Sequence, residues 1–224
     1  MNIVYLGDCM DAMKEMADKT FDLAIVDPPY GIGRDGQREY TGNPGHNRKK
    51  YDFKGWDVIP SQTYFKELER VSSDRIIFGA NYFVRFLHAS MGWVFWDKGQ
   101  RGLGNSDGEF IYTSMQRAAR VVTFNRKLID IDGSIHPTQK PVALYKWLLQ
   151  NYAKPGNKIL DTHVGSGSSR IAAWDCGFDF VGYEIDKDYW QAQEDRFNAH
   201  KSQDELFDKT EMFVNKPDLT GRGI

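Results

Sequence analysis

The chain has 224 residues, 41% of them hydrophobic, which is enough to bury one substantial core and short for two full catalytic domains. Its formal net charge of -2 argues against a protein that coats nucleic acid by bulk attraction, while leaving room for a locally basic groove. No apolar run approaches bilayer-spanning length and no basic-then-apolar secretory pattern opens the sequence, so a soluble, cytoplasmic protein without a membrane partner is expected.

The opening stretch Asn2 to Gly7 reads as a strand leading into a helix over Asp8 to Ala17, where Met10, Met13 and Met16 recur at helical spacing and are expected in the core. Phe21 to Val26 is an apolar run of strand length, stopped by Asp27-Pro28-Pro29-Tyr30, whose prolines remove backbone donors and forbid further ladder pairing. Residues Gly31 to Asp57 are glycine-rich, polar and basic without periodicity; a mobile loop of that length inside a domain is expected to serve as a lid or binding element. Ser61 to Val71 reads as a helix, Arg75 to Phe78 and Trp93 to Trp96 as buried strands, and Asn81 to His88 as a helix between them. Glu109 to Thr113 and Val121 to Phe124 read as further strands in an antiparallel relation. After a loop over Gly133 to Pro141 comes a helix, Val142 to Tyr152, then a strand, Lys158 to Leu160, entering a glycine turn that opens a helix through Cys176. Phe180 to Tyr183 is a strand ending at Glu184, and Tyr189 to His200 closes the pattern as a helix, with a loosely held polar tail beyond Lys201. The alternation predicts an α/β fold. Cys9 and Cys176 are isolated, and the histidines stand at no metal-ligand spacing, so neither a disulfide framework nor a metal site is expected.

Two turns carry chemistry. In Asp161-Thr162-His163-Val164-Gly165-Ser166-Gly167-Ser168, glycine lets a ligand lie against bare backbone at a helix start. Glu184, at the end of the next strand, can accept hydrogen bonds from both ribose hydroxyls of an adenosine-containing cofactor. The spacing is not the dinucleotide fingerprint, and a short glycine turn is as readily a tight connection, so this turn gains force only from its companions. The other turn is Asp27-Pro28-Pro29-Tyr30. An amine on an aromatic ring is a poor nucleophile because its lone pair is delocalised. Two acceptors, the Asp27 carboxylate and the Pro28 carbonyl, would localise that pair by taking one amine hydrogen each. The prolines hold the carbonyl in a fixed extended geometry, and Tyr30 offers a flat face for a base flipped out of its duplex.

Asp27 to Tyr30, His136-Pro137-Thr138-Gln139-Lys140-Pro141 and Asp161 to Ser168 together resemble the amino-methyltransferases of DNA, in the permuted group whose catalytic turn precedes its cofactor turn. The resemblance spans most of residues 3 to 200 and is similar in character to the short methylases of bacteriophages and prophages. It implies a Rossmann-like S-adenosylmethionine-dependent methyltransferase fold, a seven-stranded, mostly parallel sheet with helices on both faces. By the same resemblance, Asp27, Pro28, Pro29 and Tyr30 are catalytic. Asp161, Gly165, Ser166, Gly167 and Ser168 line the methionine half of S-adenosylmethionine, Glu184 holds its ribose and Asp8 contacts its adenine. His136, Thr138, Gln139 and Lys140 close over the methionine end beside Asp27. His163 and Ser168 depart mildly from the phenylalanine and threonine frequent in that family.

The implied reaction is methyl transfer to adenine N6 of double-stranded DNA. Cytosine N4 is a close alternative, and RNA methylation or a DNA-binding protein without catalysis are more distant ones. In that context Arg34, Arg38, Arg48, Lys49 and Lys50, following the catalytic turn, would grip phosphates, as would Arg117, Arg120 and Arg126 from a recognition insertion at about Lys98 to Asp132. The expected organisation is one domain over residues 1–200, with a DNA-contacting loop at 31–57 and a tail over 201–224. The resemblance also allows a homodimer, and Gln203, Leu206 and Phe207 resemble a short peptide that docks on the bacterial sliding clamp.

Overall fold

A computed structural model describes residues 1–35, 54–102, 106–125, 128 and 133–206. Arg38, Arg48, Lys49, Lys50, Arg126, Phe207 and the side chain of Leu206 lie outside the described residues, so the roles expected of them have no structural counterpart here.

The elements in chain order are β1 (Asn2–Leu6), α1 (Cys9–Glu15), β2 (Phe21–Val26), α2 (Gln62–Val71), β3 (Ser72–Phe78), β4 (Trp93–Asp97), β5 (Gly108–Thr113), β6 (Arg120–Thr123), α3 (Val142–Tyr152), β7 (Lys158–Asp161), α4 (Ser168–Asp175), β8 (Asp179–Glu184) and α5 (Lys187–Leu206). The strands form one sheet in the order β1-β8-β7-β2-β3-β5-β4-β6, mostly parallel, with β5 antiparallel to both its neighbours. The α/β architecture expected from the sequence is therefore present. Among the described residues the sheet has eight strands where the resemblance implied seven, with β6 at one edge, parallel to β4.

β2 shows why a short apolar run becomes a central strand. Leu23 and Ile25 face one core with α3 and α4, while Ala24 and Val26 face the other with α1 and α2. A strand covered on both sides has no polar face, so its sequence reads as nearly continuous hydrophobic residues. Met13 is fully buried and Met10 and Met16 pack against the second core, as their spacing required. Several expectations are refined. Asn81 to His88 is not a helix but two 3-10 turns, Ala80–Tyr82 and Val84–Phe86, separated at Phe83, whose ring is fully buried. β5 and β6 run in opposite directions, as expected, but are not neighbours: β4 lies between them, and the connection 114–119 passes to its far side. α5 also runs on to Leu206, past its expected end at His200, so the segment expected as a loose tail begins as helix.

Candidate active site

Parallel strands bring their carboxyl ends to one edge of the sheet, and the chemistry-bearing turns collect there. Asp27 follows β2, Asp161 ends β7 and Glu184 ends β8, with β7 seated between β2 and β8. Asp27 and Tyr30 close on each other, the Tyr30 hydroxyl donating to Asp27 Oδ1 at 2.6 Å. The Tyr30 ring stacks on Tyr82, with centroids 5.0 Å apart, and meets Phe83 edge-on at 5.9 Å. Gly79 makes this seat possible: it sits at φ 60°, and a Cβ there would come within 2.2 Å of the Tyr30 ring.

Lys140 enters from the loop before α3 and donates to Asp27 Oδ2. It also lies 3.2 Å from the Tyr30 hydroxyl and 3.5 Å from Glu109 Oε2, while Glu109 Oε1 takes Lys98 Nζ at 2.6 Å. Burial pushes the Asp27 carboxyl above its ordinary range, and Lys140 offsets only part of that. At Glu109 burial acts the same way, but Lys140 and Lys98 outweigh it and hold the carboxyl below its usual range. Burial alone would lower the Lys140 ammonium, yet Asp27 and Glu109 hold it above its ordinary value, so it stays charged.

In the glycine turn, Gly165 N–H donates to Glu184 Oε2 at 2.8 Å, and Asp186 N–H donates to Oε1 at 2.9 Å. Backbone N–H groups thus hold the carboxylate in place where it lines the cleft, which suits an acceptor for ribose hydroxyls. Asp161 behaves differently. Its carboxylate takes the His163 N–H at 2.9 Å and the Ser169 hydroxyl at 2.5 Å, and burial pushes its pKa up to about 7. Ser168 turns to Ser166 and to Arg196, which also donates to the Ser166 carbonyl at 2.8 Å.

Two clefts open at this edge. The larger, about 320 Å³, runs past Asp27, Pro28, Tyr30, Tyr82, Lys98 and Glu109. The second, about 270 Å³, is floored by Pro29, His163, Val164, Gly165, Ser166 and Glu184. They share Asp27, Trp56, Thr138, Gln139 and Lys140, so the carboxylate of Asp27 stands where they meet. Residues 54–57 bring Trp56 to both clefts. Lys54 binds Asp186 at 2.8 Å and Asp188 at 2.6 Å, and Asp57 takes the N–H groups of Gly31, Ile32 and Arg34 at 2.7 to 2.9 Å. Between these anchors Trp56 stacks on His136, with centroids 5.2 Å apart, and meets Tyr189 edge-on. Its indole Nε1 is buried with no acceptor among the described residues. His136 and His163 line the same cleft, and burial takes their pKa values down to about 3 and about 4, so both are neutral rings at neutral pH.

The cofactor-site residues expected from the sequence therefore divide. His136, Thr138, Gln139, Lys140, Gly165, Ser166 and Glu184 line the second cleft, whereas Asp8, Asp161, Gly167 and Ser168 do not. Asp8 is exposed, and its carboxylate caps α1 through Met10 N–H at 2.8 Å. Asp161 and Ser168 brace the turn from behind, and Gly167, at φ 76°, starts α4. Among the basic candidates, Arg34 lines the larger cleft. Arg117 and Arg120 do not reach it: β5 runs antiparallel, so the segment after it returns to the opposite ends of the strands, where Arg117 donates to the Asn151 carbonyl at the end of α3. Glu109, Lys98 and Trp56 lacked any signal beyond their residue type in a strand or loop and were not anticipated.

A DNA methylase family model matches residues 88–195, which hold Glu109, the loop from His136 to Lys140, the glycine turn and Glu184. The chain is 24% identical to the type II methyltransferase M.HpaI of Haemophilus parainfluenzae, covering 94% of this chain and 80% of that one. Its fold is similar to the crystal structure of an M1.HpyAVI–SAM complex, with a TM-score of 0.62 at 18% identity, covering 88% of this chain and all of that one. It is also similar to the cytosine-N4-specific PvuII DNA methyltransferase, with a TM-score of 0.59 at 11% identity over 88% of this chain and 86% of that one. Over residues 88–195 the chain is thus similar to a DNA methylase family, and over most of its length to a type II methyltransferase.

Proposed function

We propose that this protein is an S-adenosylmethionine-dependent DNA methyltransferase that acts on adenine N6 of a flipped-out base. The observation that carries the reading is the meeting of two clefts at Asp27, one floored by bare backbone and Glu184, the other walled by Tyr30, Tyr82 and Glu109. The second cleft fits the cofactor by its donor set. Glu184 presents an acceptor for ribose hydroxyls, Gly165 offers close backbone approach, and the Trp56 indole N–H is a buried donor awaiting an acceptor such as the amino-acid carboxylate. When bound, S-adenosylmethionine supplies an electrophilic methyl group on sulfonium sulfur.

The chain's own task is to make the base amine a nucleophile. Asp27 and the Pro28 carbonyl take one amine hydrogen each, which localises the nitrogen lone pair and favours the positive charge that develops there. Lys140 keeps Asp27 ionised in surroundings that would otherwise protonate it. After transfer, Asp27 is the nearest base for the proton the nitrogen sheds. Adenine is favoured over cytosine because aspartate heads the turn, where the cytosine enzymes this sequence resembles more often carry serine. Arg34, at the cleft mouth, is the described residue best placed to hold a phosphate beside the flipped base.

The test is to incubate the protein with S-adenosylmethionine and unmethylated DNA, digest to nucleosides and identify methylated products by mass spectrometry. N6-methyladenine is expected. N4-methylcytosine would move the substrate and keep the mechanism, and neither product on DNA of varied sequence would overturn the reading.

A further inference from the structure

The Asp27–Lys140 ion pair is electrically complete, yet the structure buries a second pair beside it. Glu109 stands on β5, opposite Trp96 of β4, and Lys98 follows β4 directly. Lys98 Nζ lies 2.6 Å from Glu109 Oε1 and 5.1 Å from the Trp96 ring centroid. Glu109 Oε2 faces Tyr30 Oη at 3.3 Å and Lys140 Nζ at 3.5 Å. The four charged side chains are 3 to 19% exposed, so solvent screens them little. Burying a second ion pair costs several kcal/mol of desolvation, on the order of what its attraction returns, so stability gives it little reason to exist. Its position gives one: it lines the larger cleft and competes with Asp27 for a single ammonium.

We propose that Glu109, anchored by Lys98, is a positioning residue for methyl transfer: it shares the Lys140 ammonium with Asp27 and so loosens Lys140's hold on that carboxylate, letting Asp27 release Lys140 and take a hydrogen of the entering base amine. This rests on the reading that the reaction is transfer to a base amine at Asp27. With Glu109 neutralised, Lys140 has one carboxylate to satisfy and closes fully on Asp27, occupying the acceptor the amine needs. Asp27 is faced by Lys140 and Glu109, by the hydroxyls of Tyr30, of Tyr64 on α2 and of Tyr145 on α3, and at longer range by Asp161. Glu109 is faced by Lys98, Lys140, Tyr30 and Tyr145.

The two flanking charges should then move Asp27 in opposite directions. Glu109→Gln removes a negative neighbour and shifts Asp27 titration, and the acid limb of kcat, to lower pH by about one unit. Lys98→Met leaves Glu109 less compensated and shifts both to higher pH. In Glu109→Gln, kcat should fall about tenfold or more while the calorimetric Kd for S-adenosylmethionine stays within about twofold. Titration of Asp27 is read directly by NMR of carboxyl-labelled aspartate, its signal assigned by its loss in Asp27→Asn. If the wild type methylates DNA while Glu109→Gln keeps the wild-type rate, or the two variants shift Asp27 the same way or not at all, the inference is overturned and the methyltransferase reading stands. Opposite NMR shifts in a protein that methylates no base would keep the electrostatic coupling, overturn its catalytic purpose and overturn the methyltransferase reading with it.

Discussion

Asp27 and Asp161 stand at the ends of neighbouring strands, both buried and both with carboxyls pushed up by desolvation, and they do opposite work. Asp27 leaves its strand through two prolines, which offer no backbone N–H to hold it, and its partners are side chains: Lys140 from a distant segment and the Tyr30 hydroxyl from its own turn. Asp161 leaves its strand into a glycine turn and spends both oxygens on that turn, through His163 N–H and Ser169. A buried carboxylate with a cation beside it stays charged and available for chemistry. One satisfied by neutral donors can carry a proton at neutral pH and act as a staple.

The largest expected effect comes from erasing the charge on the first of these. Asp27→Asn should lower turnover by at least about a hundredfold, as loss of one transition-state hydrogen-bonding partner does elsewhere, with the Kd for S-adenosylmethionine held. A matched loss of cofactor binding by calorimetry would show that Asp27 holds cofactor rather than base.

Removing its cation comes next. Lys140→Met leaves Asp27 and Glu109 facing each other without the ammonium between them, at a stability cost on the order of 3 kcal/mol. Burial already places Asp27 above the ordinary carboxylate range, and the base of the reaction is its ionised form. The rate therefore falls on the acid side, and losing a positive neighbour moves that limb to higher pH. A limb that stays in place in Lys140→Met would separate Lys140 from Asp27 ionisation.

Asp161→Asn should act on stability rather than turnover. The folded-state pKa of Asp161, about 7, lies above the unfolded carboxylate value, so its contribution is present in full at acid pH and is lost as pH rises through about 7. Asparagine cannot ionise and keeps an acceptor for His163 N–H, so the melting temperature should decline less between acid and mildly alkaline pH in the variant. Identical slopes would show that Asp161 is ionised throughout.

The smallest effect contrasts the two ends of the strands. Arg34→Glu, at the mouth of the larger cleft, should weaken DNA binding severalfold and flatten its salt dependence by about one phosphate contact. Arg117→Glu, at the far ends, should leave both unchanged. Equal effects would place DNA across the whole sheet edge.

Much of this division was readable in advance where local chemistry allowed a single outcome. The proline pair could only end β2, the apolar run before it could only be a strand buried on both faces, and the methionine spacing could only place Met13 in a core. The site was legible where a motif is contiguous, as in Asp27 to Tyr30 and His136 to Lys140. It was not legible where function depends on strand direction. Glu109 is an ordinary strand residue until β5 is reversed beside β4 and aims it at Lys140, and Arg117 belongs to a promising basic cluster until the same reversal carries it to the wrong end of the sheet.

By itself, then, the sequence determined the α/β alternation, the two turns and the chemistry their residues can perform, because hydrophobic periodicity, proline and glycine act over a few residues. Tertiary structure decided which carboxylate keeps its charge, which basic residues reach the cleft and that Lys140 is shared between Asp27 and Glu109. Those outcomes depend on burial and on distances between segments up to a hundred or so residues apart, and electrostatic energies set by such distances have no counterpart in local sequence.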